Sequence, residues 1–183
     1  MAREVIIEKH THQAHVMMGH TAYGGKDEKH LALFLLNNIL GGPAMSSRLN
    51  MALREKQGLV YTVQSSLTTY TDTGVWSIYF GCDQKDVKRC RRLVTRELQK
   101  LVDAPLPEHA LNAAKRQLRG QVHLSYENKE EVALGMGKRV LHYGHYRTAE
   151  EIIEAIDRLT AKQLHEVACE VMNPENLTIL MYV

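Results

Sequence analysis

The chain has 183 residues, of which 44% are hydrophobic and 24% charged, with a formal net charge of +2. That length suits one well-buried domain over residues 1–183 and is short for two. So small a charge gives no footprint for nucleic acid, and the longest apolar run, Leu31 to Leu36, falls far below the roughly 20 residues of a membrane helix. No charged-then-apolar secretory leader opens the sequence, which says little for a chain that can be the second half of a longer polypeptide; the expected location is the cytoplasm, with the periplasm as the alternative.

In chain order, Val5–Ile7 and Ala14–Ala22 read as two strands joined by a turn near His10-Thr11-His12. Gly24-Gly25 ends the second. Asp27 is placed to cap a helix over about Glu28–Leu40, whose leucines cover most of its circumference, so it should be buried on more than one side. Gly41-Gly42-Pro43 stops that helix. Ser46 or Ser47 then caps a short helix with Leu49, Ala52 and Leu53 on one face, closed by Gly58. Leu59–Tyr70 follows as a strand, with Tyr61, Val63, Ser65 and Leu67 assigned to one face. Thr71-Asp72-Thr73-Gly74 is a turn, and Val75–Cys82 returns with Trp76, Ile78 and Phe80 on one side. Together these strands predict an antiparallel hairpin.

Asp83 is read as the cap of a helix over about Gln84–Val102, with Val87, Cys90, Val94, Leu98 and Leu101 as its apolar stripe. Its many basic residues lie off that stripe, interleaved with Asp86 and Glu97, and form a solvated face. After Ala104-Pro105-Leu106-Pro107, helices are expected over about Glu108–Tyr126 and Lys129–Tyr143. The second carries Val132, Met136 and Val140 as its stripe, and Gly135 and Gly137 for close packing or a bend. Capping boxes at Thr148–Glu151 and Thr160–Gln163 open two more helices. Leu177–Val183 alternates as a final strand that pairs back onto the sheet. Strands early, helices late and a returning strand give an α+β fold, a mainly antiparallel sheet covered by helices on one side.

Catalytic sets are missing from this pattern. Neither His-Glu-x-x-His nor His-x-x-Glu-His occurs, nor a Gly-x-Ser-x-Gly elbow or a phosphate loop. His10, His12 and His15 are the nearest approach to a metal cluster, but a turn and Gln13 interrupt them. His142 and His145 sit at a helix end, where they complement the helix dipole. Cys82, Cys90 and Cys169 form no C-x-x-C pair and read as free thiols.

What remains is Arg54 in the last turn of the short helix and Tyr61 at the start of the next strand, a guanidinium and a phenol aimed at one point past the helix end. Such groups suit peptide carbonyls or a developing oxyanion. The run Gly41-Gly42, Met45 to Leu49, Arg54-Glu55-Lys56, Gly58-Leu59 and Tyr61, with the hairpin around Asp72 and Gly74, resembles the second half of an M16-family zinc metallopeptidase. In coarse element order the likeness extends over nearly the whole chain.

The resemblance implies two homologous α+β halves closing on a peptide, the first carrying zinc on an inverted His-x-x-Glu-His motif. The second half lacks that motif and offers an Arg and a Tyr at the spacing of Arg54 and Tyr61. It therefore implies a substrate-binding, non-catalytic domain, with no cofactor in this chain, zinc in the catalytic half, and that half and a peptide as partners. Self-association of the isolated domain, through the face meant for its sister half, is a further expectation. The alternative is a catalytically silent scaffold or partner subunit of the same fold.

Overall fold

The computed structural model describes residues 3–9 and 12–183. The turn placed at His10 and Thr11 lies outside the described residues. Five strands form one sheet in the order β1-β5-β2-β4-β3: β1 (Glu4–Ile7), β2 (Gln13–Ala22), β3 (Val60–Thr69), β4 (Gly74–Asp83) and β5 (Thr178–Tyr182). The β2–β4, β2–β5 and β3–β4 pairings are antiparallel and β1–β5 is parallel. The first two strands are thus not neighbours, because β5 inserts between them.

Alternation along the strands sorts the sheet into two faces. Val16, Met18, Trp76, Ile78, Phe80 and Cys82 point one way and are buried, each 2% exposed or less. On the opposite side Met17 and Val75 stand 45% and 47% exposed, so this face of the sheet is left open. Against the buried face pack α1 (His30–Gly41), α2 (Val87–Asp103) and α6 (Ala161–Val171), with α3 (Glu108–Ser125) and α5 (Ala149–Arg158) outside them. The expected α+β fold, helices on one side, is the fold observed.

α1 is buried on several sides, as its leucines require: Leu33, Leu35, Leu36 and Leu40 are each 1% exposed or less. It begins at His30, two residues later than expected, because the Asp27 carboxylate accepts from the Lys29 backbone N–H (2.7 Å) and holds that segment as a turn. Where its end passes β3, Gly41 is required: a Cβ there would lie 2.6 Å from the Ser65 backbone nitrogen. Beside it, Trp76 donates its indole N–H to Ser65 Oγ (3.0 Å) and Asn37 Oδ1 (3.2 Å), so the buried polar atoms under the helix are partnered.

The helix α4 (Lys129–Tyr143) departs from expectation. None of its side chains is buried. Val132 and Met136 are half-buried, while Val140 is exposed. A Cβ on Gly135 or Gly137 would meet nothing within 4 Å, so neither glycine serves close packing.

Candidate functional site

Arg54 and Tyr61 sit on the two limbs of one hydrogen-bonded turn. The short helix over Asn50–Glu55 is π-helical, not α-helical, and its buried Ala52 and Leu53 seat it against α2 and β3. Neither Ser46 nor Ser47 caps it through a side chain; the Ser47 hydroxyl takes a hydrogen bond from the Asn50 side-chain amide at 2.9 Å. After Arg54 the chain reverses. The Gly58 N–H donates to the Arg54 carbonyl (2.8 Å) and the Leu59 N–H to the Leu53 carbonyl (3.0 Å). Gly58 has φ +60, in the left-handed region that a residue with a Cβ adopts only at a cost. Arg89 on α2 bonds the Gln57 side chain and ties the turn from outside.

The Arg54 guanidinium is exposed and takes part in no hydrogen bond or ion pair with another described side chain. Arg48, at the entry to the same segment, is partly buried, and that burial lowers its pKa against the opposing pull of Glu97. Glu97 corrects the reading of the solvated face. It is only 6% exposed, on a helix face taken as solvated, and Lys100 pairs with it at 2.6 Å.

Tyr61 is where the local structure corrects the strand reading. Val60 pairs with Cys82 and Thr62 with Gly81, so the ladder slips by one residue at Tyr61. This β-bulge sets two residues of β3 against one of β4 and re-aims the side chains on either side of it. Tyr61 accordingly does not share a face with Val63 and Ser65, which are buried; it is 60% exposed. Its hydroxyl donates to Asp83 Oδ1 at 2.9 Å. Asp83 belongs to the open face of β4, in alternation with the buried Cys82, so Tyr61 projects over that face too. The hydrogen bond to Asp83, and then the charge of that carboxylate, push the Tyr61 phenol above its ordinary pKa.

Asp83 itself differs from expectation. It makes no side-chain cap to the helix that follows, which opens with a 3₁₀ turn at Gln84–Asp86. The same face carries His15 and Tyr79, whose Nδ1 and hydroxyl lie 2.8 Å apart with the rings stacked. This engagement places His15 in an aromatic pair. Among the described residues no group of three or more His, Cys, Asp or Glu side chains is gathered as a metal site. The described residues do not fit a zinc centre. His145 bonds the Tyr143 carbonyl at a helix end, and Cys82, Cys90 and Cys169 are free thiols, the first two buried. A large cleft of about 1390 Å³ lies elsewhere, among α1, α4 and α5, and is lined by neither Arg54 nor Tyr61.

The comparisons with known proteins join these observations to a family. Residues 2–118 match the model of the peptidase M16 inactive domain. The chain belongs to the M16 peptidase family. It is 31% identical over 170 residues to an uncharacterized zinc protease of Streptomyces coelicolor, an alignment covering 93% of this chain and 37% of that protein. In fold it is similar to the crystal structure of a peptidase M16 inactive domain from Pseudomonas fluorescens, with TM-score 0.88 and 23% identity over 99% of this chain and 43% of the other. A protease from Helicobacter pylori gives TM-score 0.87 at 21% identity, over 99% of this chain and 44% of that one. The chain therefore spans about two fifths of the length of the curated relatives it matches. It is the inactive-type domain of a zinc-protease family.

Proposed function

We propose that this M16 domain, acting as one unit over its 183 residues, is the substrate-clamping, non-catalytic half of a zinc metalloendopeptidase. Zinc, its ligands and the general base come from the remainder of the longer protein or from a partner subunit, and a peptide is the ligand. The observation that carries this reading is the turn at Gly58, which presents an uncommitted Arg54 guanidinium and an exposed Tyr61 phenol from one hydrogen-bonded element. The family description as an inactive domain and the zinc-protease relatives support it.

In this reading Tyr61 grips the bound segment, and Arg54 supplies donors to the scissile carbonyl as charge develops on it. Loss of one such donor typically costs about 2.7–4 kcal/mol of transition-state stabilisation, or roughly a hundredfold to a thousandfold in kcat. The test is steady-state proteolysis by the full-length zinc protease carrying Arg54→Ala or Tyr61→Phe, at unchanged thermal stability. Kinetics equal to those of the parent would remove the assigned role.

A further inference from the structure

We propose that the cleft bounded by α1, α4 and α5 is a second peptide site, which takes a segment carrying acidic residues beside a bulky apolar one. The inference rests on the reading that a peptide is the ligand of this domain, and makes no use of Arg54 or Tyr61.

The charge in the cleft does not balance. Lys26 in the connection before α1, Lys138 and Arg139 on α4, and Arg147 between α4 and α5 all line it. None of these four side chains is in a hydrogen bond or ion pair with another described residue. Three of the four acidic residues in the same wall are already engaged. Asp27 accepts the Lys29 N–H at 2.7 Å, Glu151 accepts the Thr148 N–H at 2.8 Å in its capping box, and Glu154 pairs with Arg158 at 2.9 Å, which leaves Glu28. Arg139 and Arg147 stand close enough to His30, at the start of α1, to lower its pKa, after burial and against the pull of Asp27. Two guanidiniums from different elements thus converge on one half-buried imidazole, whose Nε2 lies 2.9 Å from Thr69 Oγ1. Like charges gathered without a counter-charge repel, and a carboxylate that receives guanidinium N–H groups relieves that repulsion.

Beneath the charges the wall is apolar. Phe34 of α1 is 41% exposed and lines the cleft beside the half-buried Leu31, Leu67, Val122 and Ile152. An aromatic ring left open to water in a concavity is where a bulky apolar side chain gains by leaving water. At about 1390 Å³ the cleft is larger than the roughly 300–1,000 Å³ of a small-molecule pocket, and suits several residues of a polypeptide. Its rims are set without a ligand. A Cβ on Gly25 would collide with the Tyr143 hydroxyl, so α4 ends hard against the connection before α1, and the Tyr126 hydroxyl donates to the Arg147 carbonyl at 2.9 Å. The ordering cost of binding therefore falls on the peptide and on the cationic side chains.

The test uses the full-length protease and a fluorescein-labelled decapeptide of glutamates with one central phenylalanine, followed by fluorescence anisotropy. Arg139→Ala combined with Arg147→Ala should weaken binding about tenfold or more, at an unchanged thermal midpoint. Phe34→Ala in the protein, or serine for phenylalanine in the probe, should each weaken it by about threefold or more. Arg54→Ala and Tyr61→Phe should leave the Kd of the probe within about twofold of the parent value. Parent-like binding by the double arginine variant overturns the proposal. So does an all-glutamate decapeptide that binds as tightly as the probe, since the cleft is then a patch of positive charge only. Probe binding that is lost in Arg54→Ala and Tyr61→Phe but kept in the double arginine variant overturns the second site and spares the clamping reading. Parent-like proteolysis by Arg54→Ala and Tyr61→Phe, with probe binding still dependent on Arg139 and Arg147, overturns the clamping role of that pair and upholds the cleft.

Discussion

Two tyrosines in this domain give their hydroxyl protons to carboxylates, in two very different settings. Tyr23, in the connection after β2, donates to Glu170 on α6, and Lys29 completes the group with an ion pair at 2.5 Å to the same carboxylate. Tyr61 donates to Asp83 across the edge of the open face, with Lys85 at 3.8 Å from that carboxylate. For Tyr23, burial is the leading cause that raises its pKa; for Tyr61, the bond to the carboxylate leads and burial contributes little. The first pair is a tie between elements, with a cation balancing its charge. The second holds an exposed phenol in a fixed pose with its lone pairs free. A tyrosine–carboxylate bond is thus not itself a mark of function; what surrounds it decides.

The sharpest way to break the comparison is to exchange the losses. Tyr61→Phe should cut turnover of the full-length protease by up to about tenfold, the loss of one hydrogen bond to the bound segment, while shifting the thermal midpoint of the domain by no more than about 2 °C. Tyr23→Phe should leave turnover unchanged and lower the midpoint by a few degrees, about 1 kcal/mol for one hydrogen bond at a partly exposed site. Equal effects on activity would dissolve the distinction.

A smaller effect is expected from acid. Lys29, and then Tyr23, bond the Glu170 carboxylate and hold its pKa below the ordinary glutamate value. A carboxylate more acidic in the folded state contributes stability that is complete above its unfolded pKa and drains away as the pH falls through the folded one. Urea unfolding between about pH 6 and 3 should show this loss, and Glu170→Gln should flatten it. Because both partners are nearly half exposed, the contribution is on the order of 1 kcal/mol or less. Smallest of all is a spectroscopic change. Phenolate absorbance should show one tyrosine, Tyr61, ionising earlier in Asp83→Ala than in the parent chain, with no loss of fold.

Much of this was legible in the sequence. The hairpin followed from the alternation of Trp76, Ile78 and Phe80 around a Thr-Asp-Thr-Gly turn, and both capping boxes form, with Thr148 and Thr160 each accepting from the third residue of its helix. The spacing of Arg54 and Tyr61 around Gly58 also marked the turn that carries the proposed site. Period-two reasoning failed at Tyr61 because a bulge adds a residue that no local pattern announces. The same slip concealed Asp83, whose position before a helix suggested a cap while its bond runs to a residue 22 positions earlier. α4 was misjudged for a different reason: Val132, Met136 and Val140 recur at helical spacing, but periodicity reports a possible apolar stripe and says nothing of what lies opposite it.

The insertion of β5 between β1 and β2 has a consequence for how this domain is made. Residues 178–182 fill a slot flanked by strands from the first 22 residues, and the Lys9 N–H reaches the Val183 carbonyl at 2.7 Å. During synthesis β1 waits without its strand neighbour until residues 178–182 have left the ribosome. Closing the sheet is therefore a late, long-range event of the kind that slows folding. Shortening the chain by its last six residues would take away the neighbour of β1 and one of the two of β2, a far greater injury than the loss of six residues from the tip of a loop.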